Sequence, residues 1–192
     1  MLIAQITDLH IGFDRDNPHE LNIRRLNLVI DQINAMTPRP DLLIVSGDLV
    51  ENGDDQRAYR HMESLVKRWQ GPLLWAVGNH DSRTGLREVL PEVPTDDNGF
   101  IQYEAEHGGL RFVVIDTLDV GRHGGMVCEA RAAWLKARLR DLGMDTLFCR
   151  LAGRHRGAAA GPLVVSVLRA SANPECASLC RSAQGVCARR RR

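Results

Sequence analysis

The sequence predicts an α/β fold built on a parallel sheet with helices over both faces. Three observations predict it. Short apolar runs alternate with longer segments whose apolar residues recur at helical spacing. The short runs are near-continuous in hydrophobicity, as in strands buried on both faces. Each of the first three runs then stops abruptly in polar residues: Thr7-Asp8-Leu9-His10, Ser46-Gly47-Asp48 and Gly78-Asn79-His80-Asp81. That is the pattern expected where the carboxyl edge of a parallel sheet builds a site.

The elements follow in order. The run 2–6 reads as a buried strand. Residues 20–36 carry Leu26, Val29, Ile30, Ile33 and Met36 on one helical face, and Thr37-Pro38 ends that helix. A second strand is expected over 41–46. A second amphipathic helix over 54–69 presents Ala58, Met62, Leu65 and Trp69 inward, and Gly71-Pro72 breaks it before a third strand over 73–77. Residues 99–105 and 110–116 flank His107-Gly108-Gly109, a hairpin signal. Residues 129–140 read as a helix with Trp134, Leu135 and Leu139 inward, and 162–168 has a strand-like pattern.

Composition excludes some classes and divides the chain. The 192 residues suffice for one domain with a core, and 44% are hydrophobic. No run is long enough to span a bilayer, and the first residues lack the basic and apolar regions of a signal peptide, so a cytoplasmic protein is expected. Five cysteines, an odd number, do not suggest a disulfide framework, and their spacing does not resemble a zinc site. The net charge of +1 hides a split: residues 1–140 hold 21 acidic and 16 basic residues, whereas 141–192 hold 3 acidic residues and 9 arginines. Residues 1–140 are therefore expected to form one unit, and 141–192 a divergent tail rich in Arg, Ala, Gly and Cys.

Parallel strands would bring Asp8, His10, Asp48, Asn79 and His80 to one sheet edge despite their separation in sequence. Carboxylates, an imidazole and an amide oxygen suit Mn, Fe, Zn or Co. One carboxylate can bridge two ions, and two ions can clamp a phosphoryl group. Taken one at a time, each residue has a plainer reading. Asp8 could cap a turn, Asp48 could be loop polarity, and Asn79 could take a left-handed turn position. Three such coincidences at three successive strand ends favour a site. His19, His61, His107 and His123 are expected to be structural or surface residues.

The pattern Asp8-x-His10, Gly47-Asp48 and Gly78-Asn79-His80-Asp81 resembles the first three blocks of the calcineurin-like metallophosphoesterases. The surrounding segments, among them "PRPDLLIVSGDLVENG" and "GPLLWAVGNHDSR", are similar to the bacterial cyclic-nucleotide and glycerophosphodiester phosphodiesterase branch, over residues 1 to about 140. The resemblance implies a sandwich of mixed β-sheets flanked by helices. It implies two divalent metal ions: Asp8 and His10 on the first, Asp48 bridging, Asn79 on the second. His80 would lie beside the phosphate as general acid or electrostatic partner, and Asp81 would orient His80. Hydroxide activated at the two ions would attack phosphorus in line with the leaving oxygen. The segment His123-Gly124-Gly125 would lie near the substrate mouth.

Two later blocks of that family, His-His-Pro and Gly-His-x-His, do not occur in the 192 residues. His155 falls near the place of the first, in altered surroundings, and is either a ligand or incidental. The second half of the fold is thus expected to be incomplete. Either the coding frame shifts near residues 140–150 and the chain is truncated, or a basic tail ends in Arg189–Arg192. The function implied is hydrolysis of a phosphodiester, a cyclic nucleotide such as cAMP or a glycerophosphodiester, impaired in this chain. The alternative is a non-catalytic phosphoesterase-like module. A small phosphodiester is the expected partner. A membrane is not expected. Nucleic acid ranks last because aromatics do not interleave with the basic residues. Homo-oligomerisation stays open.

Overall fold

The computed structural model describes residues 1–140 and the strand Val164–Arg169. His155 and Arg189–Arg192 lie outside the described residues.

Alternation of apolar runs and amphipathic segments produces β1 (Leu2–Thr7), α1 (Leu21–Ala35), β2 (Leu42–Ser46), α2 (Gln56–Val66) and β3 (Leu73–Ala76). These three strands run parallel. β6 (Val164–Arg169) joins the far side of β1 antiparallel, giving the order β3-β2-β1-β6. The central strand β2 is buried at all five residues, as its unbroken apolar sequence requires of a strand covered on both faces. α1 contributes Leu26, Ile30 and Ile33 to the core, and α2 contributes Ala58, Tyr59, Met62 and Val66. Asp55 caps α2, accepting from the amides of Arg57 and Ala58. Trp69 is buried beyond the end of α2. Among the described residues, no helix is long and apolar enough to cross a membrane.

A second, antiparallel pair joins β4 (Tyr103–His107) to β5 (Leu110–Val114). Its two-residue turn places Gly108 at φ 58° and Gly109 at φ 76°, the left-handed geometry that matches hairpin twist and favours glycine. The hairpin is tied to β3 by one side chain. The Tyr103 hydroxyl accepts from the Trp75 amide and donates to the Trp75 carbonyl, both at 2.8 Å. Burial pushes the Tyr103 phenol pKa well above its usual value. The result is the mixed α/β architecture that the sequence predicts.

Two elements differ from expectation. α3 (Arg83–Val89) is an added short helix, and its one sequence signal is Ser82, whose hydroxyl caps the Gly85 amide at 3.1 Å. The helix over 129–140 forms as α4 (Glu129–Arg140), with Trp134 and Leu135 half-buried, but Leu139 does not face inward. Leu139 is 40% exposed, and the buried residue is Arg131, at 2%. The reason is electrostatic. Arg131 reaches the fully buried carboxylate of Asp116 and stacks on Phe100, 4.7 Å from the ring centre.

Candidate functional site

The site starts with the backbone. Asp8, His10 and Asp48, at φ 58°, 45° and 43°, are the non-glycine residues at positive φ among the described residues. A left-handed conformation costs a non-glycine residue roughly 1–2 kcal/mol, less for Asp than for branched residues. Such strain persists where surrounding structure over-determines it, and it clusters at functional sites. The surroundings here are specific. The β1–β2 pairing continues past the strands, with the Asp8 amide donating to Gly47 O at 3.1 Å and the His10 amide to Asp48 O at 2.9 Å. Buried Asn22 on α1 donates to the His10 carbonyl at 3.0 Å, and buried Glu20 accepts from the amides of Gly12 and Asp14.

These turns aim side chains at one point. The ligand atoms of Asp8, His10 and Asp48 all lie within 4.8 Å of one another. His10 Nε2 is 3.7 Å from Asp48 Oδ2, and Asp48 is only 1% exposed. Its other oxygen accepts from the His80 amide at 3.0 Å. Two carboxylates this close, one of them buried, repel each other and call for a cation. Gly78 makes the approach possible, because a Cβ there would fall 2.2 Å from the Asp48 amide nitrogen and 2.3 Å from its Oδ1. The donor set, two carboxylate groups and an imidazole at a cradle only glycine can line, fits a divalent cation.

A second cluster shares His10. The ligand atoms of His10, Glu51 and His80 also lie within 4.8 Å of one another. Glu51 Oε2 is 2.8 Å from His10 Nδ1, and the Glu51 carbonyl oxygen is 2.8 Å from His80 Nδ1. A carbonyl can only accept, so His80 Nδ1 carries the hydrogen and Nε2 is left for other work. The two imidazoles meet edge to face, with ring centres 4.9 Å apart. Partial burial opposes protonation of His80, but the Glu51 carbonyl and the carboxylates of Asp48, Glu51 and Asp81 outweigh it and raise its pKa. Sequence reading missed Glu51. The available signal was its place three residues past Asp48 on the same sheet edge.

Asp81 does not take the part expected of it. Its buried carboxylate accepts from the amides of Gly78 at 2.7 Å and Leu49 at 2.9 Å, with Val50 and the Tyr59 hydroxyl alongside. It therefore stitches the β2 and β3 loops together, whereas the Nδ1 of His80 is held by Glu51. Burial pushes the Asp81 carboxyl up to about 7, against the lowering effect of those amides. Asn79 sits half-buried between Gly78 and His80, and its side chain makes no hydrogen bond among the described residues. His123, expected at the surface, is exposed, yet its ring centre lies 6.3 Å from that of His80.

Known proteins share this arrangement in sequence. Residues 1–149 match the calcineurin-like phosphoesterase family. The chain is 33% identical over 148 residues to a probable cyclic nucleotide phosphodiesterase of Rhodopseudomonas palustris, covering 76% of this chain and 54% of that one. It is 31% identical over 152 residues to the glycerophosphodiester phosphodiesterase GpdQ of Enterobacter lignolyticus, covering 74% and 53%. It is 32% identical over 145 residues to a cAMP/cGMP dual specificity phosphodiesterase of Mycobacterium tuberculosis, covering 72% and 45%. The chain spans about half the length of these curated relatives. Among solved structures, purple acid phosphatase PPD1 of yellow lupin shares the fold, with a TM-score of 0.50 at 15% identity over 77% of this chain and 29% of that one. The strand-end motifs, the mixed sheet and the extent of the family match agree: this chain belongs to the calcineurin-like phosphoesterases.

Proposed function

We propose that this chain is a metal-dependent phosphodiesterase whose Asp8, His10, Asp48 and Asn79 hold divalent metal. The observation that carries the reading is the convergence of Asp8, His10 and Asp48 ligand atoms within 4.8 Å at two strand ends. Calcineurin-like phosphoesterases use divalent ions, and we take the number here as two, of the Mn, Fe, Zn or Co class. When bound, such ions polarise a phosphoryl oxygen and make water acidic enough to supply hydroxide at neutral pH. The protein's own residues set the geometry. Glu51 fixes Nδ1 of His10, so His10 offers Nε2 toward Asp48. Asp48, whose Oδ2 faces His10 and whose Oδ1 accepts from the His80 amide, would be the ligand common to both ions. His80, held at Nδ1 by a carbonyl, would turn Nε2 to the phosphate or to the leaving oxygen, as general acid or as electrostatic partner. Asn79 offers its amide oxygen as a ligand and its NH₂ to the phosphate. The substrate is a small phosphodiester, a cyclic nucleotide or a glycerophosphodiester, as the names of the relatives support.

The test is hydrolysis of bis(p-nitrophenyl) phosphate with added Mn²⁺, beside an Asp48→Ala variant. Turnover that is lost in the variant is expected. A second reading is a phosphoesterase-like module that binds but does not hydrolyse. Mn²⁺ binding with no turnover in either protein would select it. Glu51 gives a separate prediction. Glu51→Gln keeps the shape but removes the charge that orients His10, and Mn²⁺ affinity should fall by about 10–100-fold. Equal affinity in a Mn²⁺ titration would remove Glu51 from the site.

A further inference from the structure

We propose that a second, separate cleft binds an alkylammonium ion. It lies between the segment 95–102, β4 and α4, and measures about 340 Å³. Its lining includes Asp96, Asp97, Gln102, Glu104, Trp134 and Arg138, none of which belongs to the site at the strand ends.

The cleft is built rather than incidental. Asp96 folds the loop over its own carboxylate, with Oδ1 accepting from the amides of Asn98 and Phe100, and Oδ2 from Gln102 Nε2 at 2.7 Å. The next amide, that of Ile101, is pinned to the buried Asp116 at 2.9 Å. The loop is therefore ordered before any ligand arrives, which lowers the entropy cost of binding.

Within this frame one uncharged acceptor is left over; the other buried oxygen without a hydrogen bond, Glu104 Oε1, faces the Arg111 guanidinium at 2.9 Å. Gln102 is 1% exposed, and its Nε2 is spent on Asp96, but its Oε1 has no hydrogen-bond partner among the described residues. A flipped amide would set oxygen against oxygen at Asp96, so the orphan is an acceptor. A buried acceptor without a donor is costly, and it asks for an N–H or O–H from outside. Charge selects between donors. Three carboxylates line the cleft against one guanidinium. Glu104 is paired with Arg111 and Arg138, whereas Asp97 makes no ion pair among the described residues. The free charge is negative. Trp134 supplies an aromatic wall that already takes a cation, with Arg138 standing 5.3 Å from its ring centre. A bare metal ion does not fit. Among the described residues, only the two strand-end groups gather three such ligand atoms within 4.8 Å. An ammonium with N–H donors on a short alkyl chain satisfies the orphan oxygen, the unpaired carboxylate and the indole face together.

The experiment follows the Gln102 side-chain amide and Trp134 indole resonances by NMR during titration of the full chain with n-butylammonium, n-butanol and tetramethylammonium. Saturable shifts at both residues are expected with butylammonium. They should be at least tenfold weaker in affinity with tetramethylammonium, which cannot donate, and with butanol, which lacks charge. Asp97→Asn, at an exposed position with no ion pair among the described residues, should weaken butylammonium tenfold or more. So should Gln102→Met, which removes the acceptor at similar volume. No saturable shift, shifts equal for all three probes, or an unchanged affinity in Asp97→Asn would overturn the proposal. Its fate is independent of phosphodiesterase activity.

Discussion

Asp116→Ala is expected to cost about 3–5 kcal/mol of folding stability, the size seen when one partner of a buried ion pair is removed. Asp116 is fully buried at the end of the hairpin. Its carboxylate receives Arg83 through two bonds of 2.7 and 2.8 Å and Arg131 at 3.4 Å, together with the amides of Ile101 and Leu118 at 2.9 Å. Deleting it leaves Arg131, 2% exposed, as an unpaired buried cation and strips two amides of their acceptor. Both arginines also hold the Leu118 carbonyl, at 2.7 and 3.1 Å, so the loop that carries His123 should loosen with them. Urea unfolding measures the loss. A change below about 1 kcal/mol would show that solvent reaches this network.

Gly78→Ala should be nearly as damaging for a different reason. The added methyl would meet backbone at 2.2 Å from the Asp48 amide and 2.9 Å from the Gly47 carbonyl carbon, and neither can rotate away. Either β3 parts from β2 or Asp48 is pushed out of the cluster. The expected loss is about 3 kcal/mol, the upper end for overpacking, together with loss of stabilisation by Mn²⁺. Gly124→Ala is the control, since nothing lies within 4 Å of a Cβ there. Thermal melts with and without Mn²⁺ separate the effects. A Gly78→Ala protein that melts like the parent and still gains stability from Mn²⁺ would contradict the packing argument.

The parallel strands and the convergence of Asp8, His10 and Asp48 were legible because they rest on local signals. Apolar runs that end sharply in polar residues fix both the strand and its edge. The hairpin turn was legible for the same reason, in two adjacent glycines. What escaped depends on tertiary neighbours. The pairing of Glu51 with His10 bridges loops from different strands, so its place three residues past Asp48 marks the sheet edge but not the partner. Asp81 looks like an orienting residue because it follows His80, but burial turns it toward backbone amides. Leu139 looked like core because leucine usually is. The inward place on α4 went to Arg131, since a buried carboxylate waits on the hairpin. α3 is too short for periodicity to register, and it contains Gly85, a poor helix former.

If Asp8, His10 and Asp48 form a divalent metal site, Mn²⁺ binding should depend on Asp48. The most direct measurement is a Mn²⁺ titration of the full chain followed by electron paramagnetic resonance, beside Asp48→Asn. The variant keeps the side-chain shape and can still accept from the His80 amide, so it should remain folded. Saturable binding is expected in the parent chain, with an affinity at least about 100-fold weaker in Asp48→Asn, beyond the loss expected for an orienting residue. Equal binding by the two proteins would contradict it, because the metal would then be held by other residues.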